Sequence, residues 1–270
     1  MRVKAGDRIV ITDEGSDDFG VAAERVSPRI IDDRYPYQHR NPLWHLAAGL
    51  VYYVLLPPVA FVLAFVHGVR VRGRRHLREA GGCYLYGNHS NWFDVFLPMI
   101  LAFPRRASIV SGATALSIPF VRRLVPMLGA IPLNTTPAGK AAFRTALDVA
   151  VRRGCPVAIF PEAHEWPFYN GIRPFSSHSF TYPVRTDVPV VPYVVTYRRR
   201  WLSARLKPHM TVTVGPAIPP SAWRDAPDPK QAVRDRVYDF MVTTVAEQGS
   251  FAWVEYVLPG TAPQPTSRPV

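Results

Sequence analysis

The stretch from Leu43 to His67, LWHLAAGLVYYVLLPPVAFVLAFVH, contains no Asp, Glu, Lys or Arg. A run this apolar is stable only in a protein core or in lipid. Its length suits a bilayer-spanning helix. Pro57-Pro58 stands in its middle, however, and proline removes a helix donor and clashes with the preceding turn. The expectation is two short helices, or a helical hairpin dipping into one leaflet, over residues 42–68. Trp44, Tyr52 and Tyr53 are the amphipathic side chains an interface would select. Arg70, Arg72, Arg74 and Arg75 follow at once, as contact with anionic headgroups would require. A buried core hairpin is the competing reading.

The remainder is long enough for one sizeable domain, and the whole chain has 270 residues. Lys and Arg number 32 against 20 Asp and Glu, giving a net charge of +12. That field favours an anionic partner: a nucleic acid, an anionic membrane surface, or a phosphorylated or CoA-like substrate. Hydrophobic residues make up 48% of the chain, which excludes wholesale disorder. Cys83 and Cys155 sit in or beside apolar strand-like runs. They read as reduced core residues in a reducing compartment. No Cys/His cluster has zinc spacing, so no metal is expected. Residues 1–41 show no signal-peptide pattern and read as a polar, peripheral extension, ordered in part at best. The Pro-rich tail over 259–270 reads as loose.

Past the apolar stretch, strand-like runs alternate with helical patterns over residues 69–258. Strands are expected at Val69–Arg72, Cys83–Gly87, Ala107–Val110, Ala130–Leu133, Pro156–Phe160, Val188–Val195 and Met210–Val214. Helices are expected from about Ser90 to Ala102, from Thr136-Pro137 to Gly154, and from Asp228-Pro229 onward. This alternation predicts an α/β fold with a largely parallel central sheet flanked by helices.

One short motif names a chemistry. In Asn88-His89-Ser90-Asn91-Trp92-Phe93-Asp94, a histidine precedes an aspartate by five positions at the end of a strand. Of the 8 histidines, only His89 has an acidic residue at that spacing. A neutral imidazole is a base suited to pH near 7, and a carboxylate can fix its tautomer. Spacing alone does not separate this pair from an ordinary strand-to-helix junction. Three further motifs follow: Gly129-Ala130-Ile131-Pro132-Leu133-Asn134, Phe160-Pro161-Glu162-Ala163, and Val188-Pro189-Val190-Val191-Pro192-Tyr193.

Together these motifs resemble the glycerolipid acyltransferase family, whose best-known members are 1-acylglycerol-3-phosphate acyltransferases. That family carries NHxxxxD, GxxxxxR-type, FPEG and VPxxPV-like motifs in this order, and the likeness covers about Pro42 to Pro220. By this resemblance His89 takes the proton from an acceptor hydroxyl as it attacks an acyl thioester, and Asp94 orients the imidazole. Glu162 matches an acceptor-site glutamate. Asn88 holds the turn or a backbone group near His89 and is grouped with Glu162 on the substrate side. The resemblance implies acyl-CoA or acyl-carrier protein as donor, no other cofactor, a lysophospholipid acceptor, and membrane lipids as partners on the cytoplasmic face. Backbone N–H groups at the start of the helix after His89 would face the oxyanion. Ser90 and Cys83 are poor nucleophiles, so direct transfer is expected.

The chain also departs from the family and reads as a divergent branch. Asn134 stands where the second motif ends in an arginine that resembles a phosphate clamp. Ala163 replaces the glycine of the third motif, and His164-Glu165 replaces the usual Thr-Arg. The loop then runs on through aromatic residues to Arg173, which could carry a cation into the vacated phosphate position. A different lipid or polyol acceptor, a non-catalytic lipid-binding protein on the same fold and a basic nucleic-acid binder are the alternatives, though no nucleic-acid motif accompanies the charge.

Overall fold

The computed structural model describes residues 3–13, 17–19, 31, 35–117, 121–134, 136–137 and 139–258. Its strands are β1 (Arg8–Val10), β2 (Arg70–Arg72), β3 (Tyr84–Gly87), β4 (Ser108–Ser111), β5 (Ala130–Pro132), β6 (Val157–Ile159), β7 (Val190–Arg198), β8 (His209–Val214) and β9 (Glu255–Val257). Seven form a central sheet in the order β2-β8-β7-β3-β6-β4-β5. The five strands from β7 to β5 are mutually parallel. β8 returns antiparallel to β7 as a hairpin, and β2 runs parallel to β8. All seven expected strands therefore occur, and the fold is α/β with a mostly parallel sheet.

Helices cover both faces. The helices are α1 (Pro42–Leu50), α2 (Leu56–Val66), α3 (Arg74–Glu79), α4 (Leu97–Ala102), α5 (Val121–Met127), α6 (Lys140–Arg152), α7 (Thr181–Thr186) and α8 (Pro229–Gln248). β7 is buried over nearly its whole length, and its side chains alternate between two cores. Val191, Tyr193, Val195 and Tyr197 pack with Leu77, Phe93, Leu97 and Leu101 on one face. Val190 and Val194 pack with Phe143 and Leu147 of α6 and Val233, Val237 and Met241 of α8 on the other.

The apolar stretch corrects one expectation. Pro42 to Val66 is a single helical run of 25 residues with no reversal, not a hairpin. Between α1 and α2, Val51–Leu55 form a π-helical turn, closed by the Leu56 N–H on the Val51 carbonyl. The widened turn sits immediately before Pro57-Pro58, which then occupy the first turn of α2. A wide turn absorbs the lost donor and the ring clash that would otherwise break the helix. Only 17% of its most apolar window is buried. Tyr52, expected at an interface, faces the domain instead. Its hydroxyl accepts from the Ala107 N–H at 2.8 Å, and the Arg106 guanidinium lies 5.2 Å from its ring centroid.

Two boundaries also differ. α6 starts at Lys140 rather than Pro137, because Asn134 and Thr136 bond the intervening turn: Asn134 Oδ1 accepts from the Thr136 N–H at 2.8 Å. The N-terminal extension is partly built into the domain. β1 pairs parallel with β9, and the Gly6 N–H donates to the Trp253 carbonyl. The tail over 259–270 lies outside the described residues.

Candidate active site

The carboxyl end of β3 delivers His89. Gly87 ends that strand because the Tyr193 ring lies against it, and a Cβ there would run into the ring. Asn88 then turns the chain away from the sheet. Both ends of its amide bond the Val195 backbone of β7, the Nδ2 donating at 3.1 Å and the Oδ1 accepting at 2.8 Å. Asn88 is 1% exposed, so its amide holds the turn.

The five-residue spacing between His89 and Asp94 has a local cause. Asn91 caps a 3-10 turn over Trp92–Phe96, and Asp94 closes the box by accepting from the Asn91 N–H. A single oxygen, Asp94 Oδ2, accepts from the Ser90 and Asn91 N–H groups at 2.7 Å each and from His89 Nδ1 at 3.4 Å. Burial pushes the Asp94 carboxyl up, and the His89 hydrogen bond and charge and the Ser90 and Asn91 N–H donors oppose this by favouring the ionised form. With Nδ1 directed at Asp94, Nε2 is the basic atom left, and the His89 side chain is 15% exposed. Burial pushes the imidazole down. The hydrogen bond and charge of Asp94, helped by Glu165 and Glu162, outweigh that and leave it above the ordinary histidine range. The Phe160 ring stacks on the imidazole, with centroids 4.3 Å apart and planes 13° apart.

The same network corrects the oxyanion expectation. The Ser90 and Asn91 N–H groups go to Asp94, the Phe93 N–H to Asn91 Oδ1, and the Asp94 N–H to the Asn91 carbonyl. These N–H groups are spent on shaping the loop. Neither alternative nucleophile is available. Ser90 is buried and its hydroxyl is paired with the Tyr197 hydroxyl at 2.8 Å. Cys83 is fully buried, and burial pushes its thiol up to about 12. Both cysteines are free thiols.

Glu162 comes from the carboxyl end of the neighbouring β6 and reaches under His89. Its Oε2 accepts from the His89 N–H at 3.1 Å and from Arg173 Nη2 at 3.0 Å, while Oε1 accepts from the Arg173 N–H at 3.0 Å. Arg173 is 2% exposed, gives a further bond to the His164 carbonyl, and lies 4.8 Å from the centroid of the Trp166 ring. The cation expected at an acceptor phosphate is thus the buried partner of Glu162. Asn134 is likewise engaged: its Oδ1 accepts from the Thr136 N–H and hydroxyl, and Gly139 closes over its side chain.

The loop between Glu162 and Arg173 is docked along the first motif. The Trp166 N–H donates to the His89 carbonyl at 3.3 Å, and the Phe168 N–H to the Ser90 carbonyl at 2.7 Å. Ala163 takes the left-handed conformation, φ 65°, that a glycine would accept without cost, and Phe168 does the same at φ 61°. Glu165 sits between these contacts. Burial pushes its carboxyl up to about 7; the His89 charge opposes this, and Asp94 and Asp18 add to it.

Sequence reasoning missed the residues that hold this loop from outside. Asp18 accepts from the Glu165 N–H at 3.2 Å and lies 3.4 Å from His164 Nδ1. The Trp166 indole N–H donates to the Asp17 carbonyl at 2.8 Å, and the Tyr256 ring stacks on Trp166 with planes 5° apart. Residues nearly 150 positions apart leave no periodic signal. Phe160 carried a signal, since it opens the third motif, but its stacking role did not show.

Residues 68–196 match the family model described as Acyltransferase. Among solved structures, the chain is similar to the crystal structure of the 1-acyl-sn-glycerophosphate acyltransferase PlsC from Thermotoga maritima. That similarity has 16% identity and a TM-score of 0.51, and covers 77% of this chain and 95% of the other. At that identity the likeness bears on the fold. The comparison with curated proteins gives no match.

Proposed function

We propose that this chain, whose residues 68–196 match the Acyltransferase family model, moves a fatty acyl group from a thioester donor to the hydroxyl of a lysophospholipid-like acceptor at a membrane surface. The observation that carries the reading is His89: its Nδ1 faces the buried Asp94 carboxylate, which leaves Nε2 as the basic atom, and the residue follows the carboxyl end of a parallel strand, where α/β sheets bind ligands. Nε2 takes the acceptor O–H proton as the oxygen attacks the thioester carbonyl carbon. A C–O bond forms, the C–S bond breaks, and the imidazolium returns the proton to the departing sulfur. Asp94 stabilises the imidazolium throughout. Asn88, Glu162 and Arg173 position His89 from beneath. The donor is acyl-CoA or an acyl-carrier protein, which suits the net charge of +12.

A second reading of the acceptor is favoured by one observation. The second-motif position is Asn134, bonded into its own turn, and Arg173 is committed to Glu162. Neither is placed as a phosphate clamp, which favours an acceptor whose phosphate is a diester carrying a headgroup over the monoester 1-acylglycerol-3-phosphate. The apolar face of residues 42–66 supports a membrane location.

Both readings meet one assay. Labelled acyl-CoA and acyl-carrier donors are offered with lysophosphatidic acid, lysophospholipids with esterified headgroups, and glycerol phosphate, in mixed micelles. Transfer that His89→Ala abolishes supports the enzyme. No transfer to any acceptor rejects it, and a clear preference for lysophosphatidic acid rejects the second reading.

A further inference from the structure

We propose that the loop joining β7 to β8, residues 199–208, is a second membrane anchor that seats the catalytic edge of the sheet on an anionic lipid surface. The inference rests on the membrane reading above and adds a site on a different part of the chain. Trp201 is 88% exposed, Leu202 67% and Leu206 45%. Bulky apolar side chains grouped at one loop tip are unfavourable in water and mark an interaction surface. The loop is not a loose end. The Arg205 N–H donates to Ser203 Oγ and the Leu206 N–H to the Ser203 carbonyl, while Arg200 Nε closes the base on the Lys207 carbonyl at 2.7 Å.

Two observations select lipid as the occupant. Charge is the first. The loop RRWLSARLKP carries Arg199, Arg200, Arg205 and Lys207 and no acidic residue. Cations interleaved with Trp and Leu match a headgroup layer, where the ammonium and guanidinium groups meet phosphates and the apolar tips reach the acyl boundary. Continuity is the second. Arg200 Nη2 donates to the Val66 carbonyl at 2.6 Å, which joins the loop to the end of α2. There Phe61 is 74% exposed and Phe65 81%.

Topology adds the functional consequence. β7 runs parallel to β3, so the loop leaving β7 emerges on the edge where β3 delivers His89. β2 runs the opposite way, so α2 arrives at that same edge. Trp92, 41% exposed and three residues past His89, lies there as well, with its ring beside His67. Two adjoining anchors on one edge, a helix and a loop, fix the angle at which that edge meets the bilayer more closely than a single helix would.

The test uses the full chain carrying Trp201→Ser and Leu202→Ser together. Co-sedimentation with vesicles of phosphatidylglycerol and phosphatidylcholine should fall about tenfold or more relative to wild type. Replacing Arg199, Arg205 and Lys207 with Gln should remove most of the preference over pure phosphatidylcholine. Turnover of a short-chain, monomeric acceptor and the melting temperature should stay unchanged. Equal vesicle binding by wild type and the Trp201/Leu202 variant overturns the anchor while leaving the membrane reading intact. Wild type that binds no vesicle overturns both. A change in oligomeric size without a change in vesicle binding assigns the patch to contact between copies and also overturns the anchor.

Discussion

The two loops that form the site are built in opposite ways. Residues 88–94 are closed by local bonds: Asn91 caps the turn, Asp94 returns to the Ser90 and Asn91 N–H groups, and His89 is oriented by the same carboxylate. Residues 160–173 are held from far away, by Asp17 and Asp18 near the N-terminus, by Tyr256 near the C-terminus and by the first loop itself. They also carry two left-handed non-glycine residues. The His89–Asp94 pair depends on a few neighbouring residues. The second loop depends on packing, and it is there that the sequence departs from the FPEG motif pattern: Ala163 for glycine, then His164-Glu165 and an aromatic run to Arg173.

Substitutions that separate chemistry from architecture test this contrast most severely. His89→Ala should lower kcat/KM by about 10²- to 10⁴-fold with an unchanged melting temperature. Asp94→Asn should lower it as much and also cost about 2 kcal/mol of stability, because the carboxylate is both orienter and cap. Equal melting temperatures for the two variants, read by calorimetry, would show that the first loop does not depend on its capping box. Next comes the buried pair. Glu162→Gln leaves the Arg173 guanidinium buried without its countercharge and should destabilise the fold by about 3 kcal/mol. A loss of acceptor affinity with full stability in urea would instead make Glu162 a direct acceptor ligand.

A smaller effect concerns pH. His89 must be neutral to act as a base, so activity falls as pH drops through its pKa, which Asp94, Glu165 and Glu162 raise. Glu165→Gln removes one of these carboxylates, so the imidazole pKa falls and the acidic limb of kcat/KM should move to lower pH, with the plateau retained. A limb that stays in place would show that Glu165 does not act on His89. The smallest effect is at Ala163→Gly. Relief of the left-handed conformation and the greater freedom of glycine in the unfolded chain are each worth about 1 kcal/mol and oppose each other. The melting temperature should barely move; a large drop would mean that the Ala163 methyl group packs the loop.

Much of the sheet was legible because its strands are short, buried apolar runs bounded by Gly and Pro, and all seven appear where the pattern placed them. Asp228 before Pro229 marked the start of α8 for an equally local reason: its carboxylate accepts from the Lys230 and Gln231 N–H groups. The Pro57-Pro58 break was misread because proline's cost is local while its remedy, the wide turn at Val51–Leu55, has no sequence signature. β1 and β9 are three residues each and pair the two ends of the described chain, so neither predicts the other.

By itself the sequence determined the features whose causes lie within a few residues: the strands, the caps, the charge-free composition of residues 43–67 and the spacing that joins His89 to Asp94. Only the tertiary structure decided what the distant polar groups do. Arg173 reads as a free cation until Glu162 is seen beside it, Asn134 as a lost clamp until its turn is closed, and Trp201 as one more aromatic until its loop is seen at the carboxyl edge of β3. The physical reason is that an ion pair or an exposed patch depends on which residues folding brings together, and separation along the chain carries no record of that.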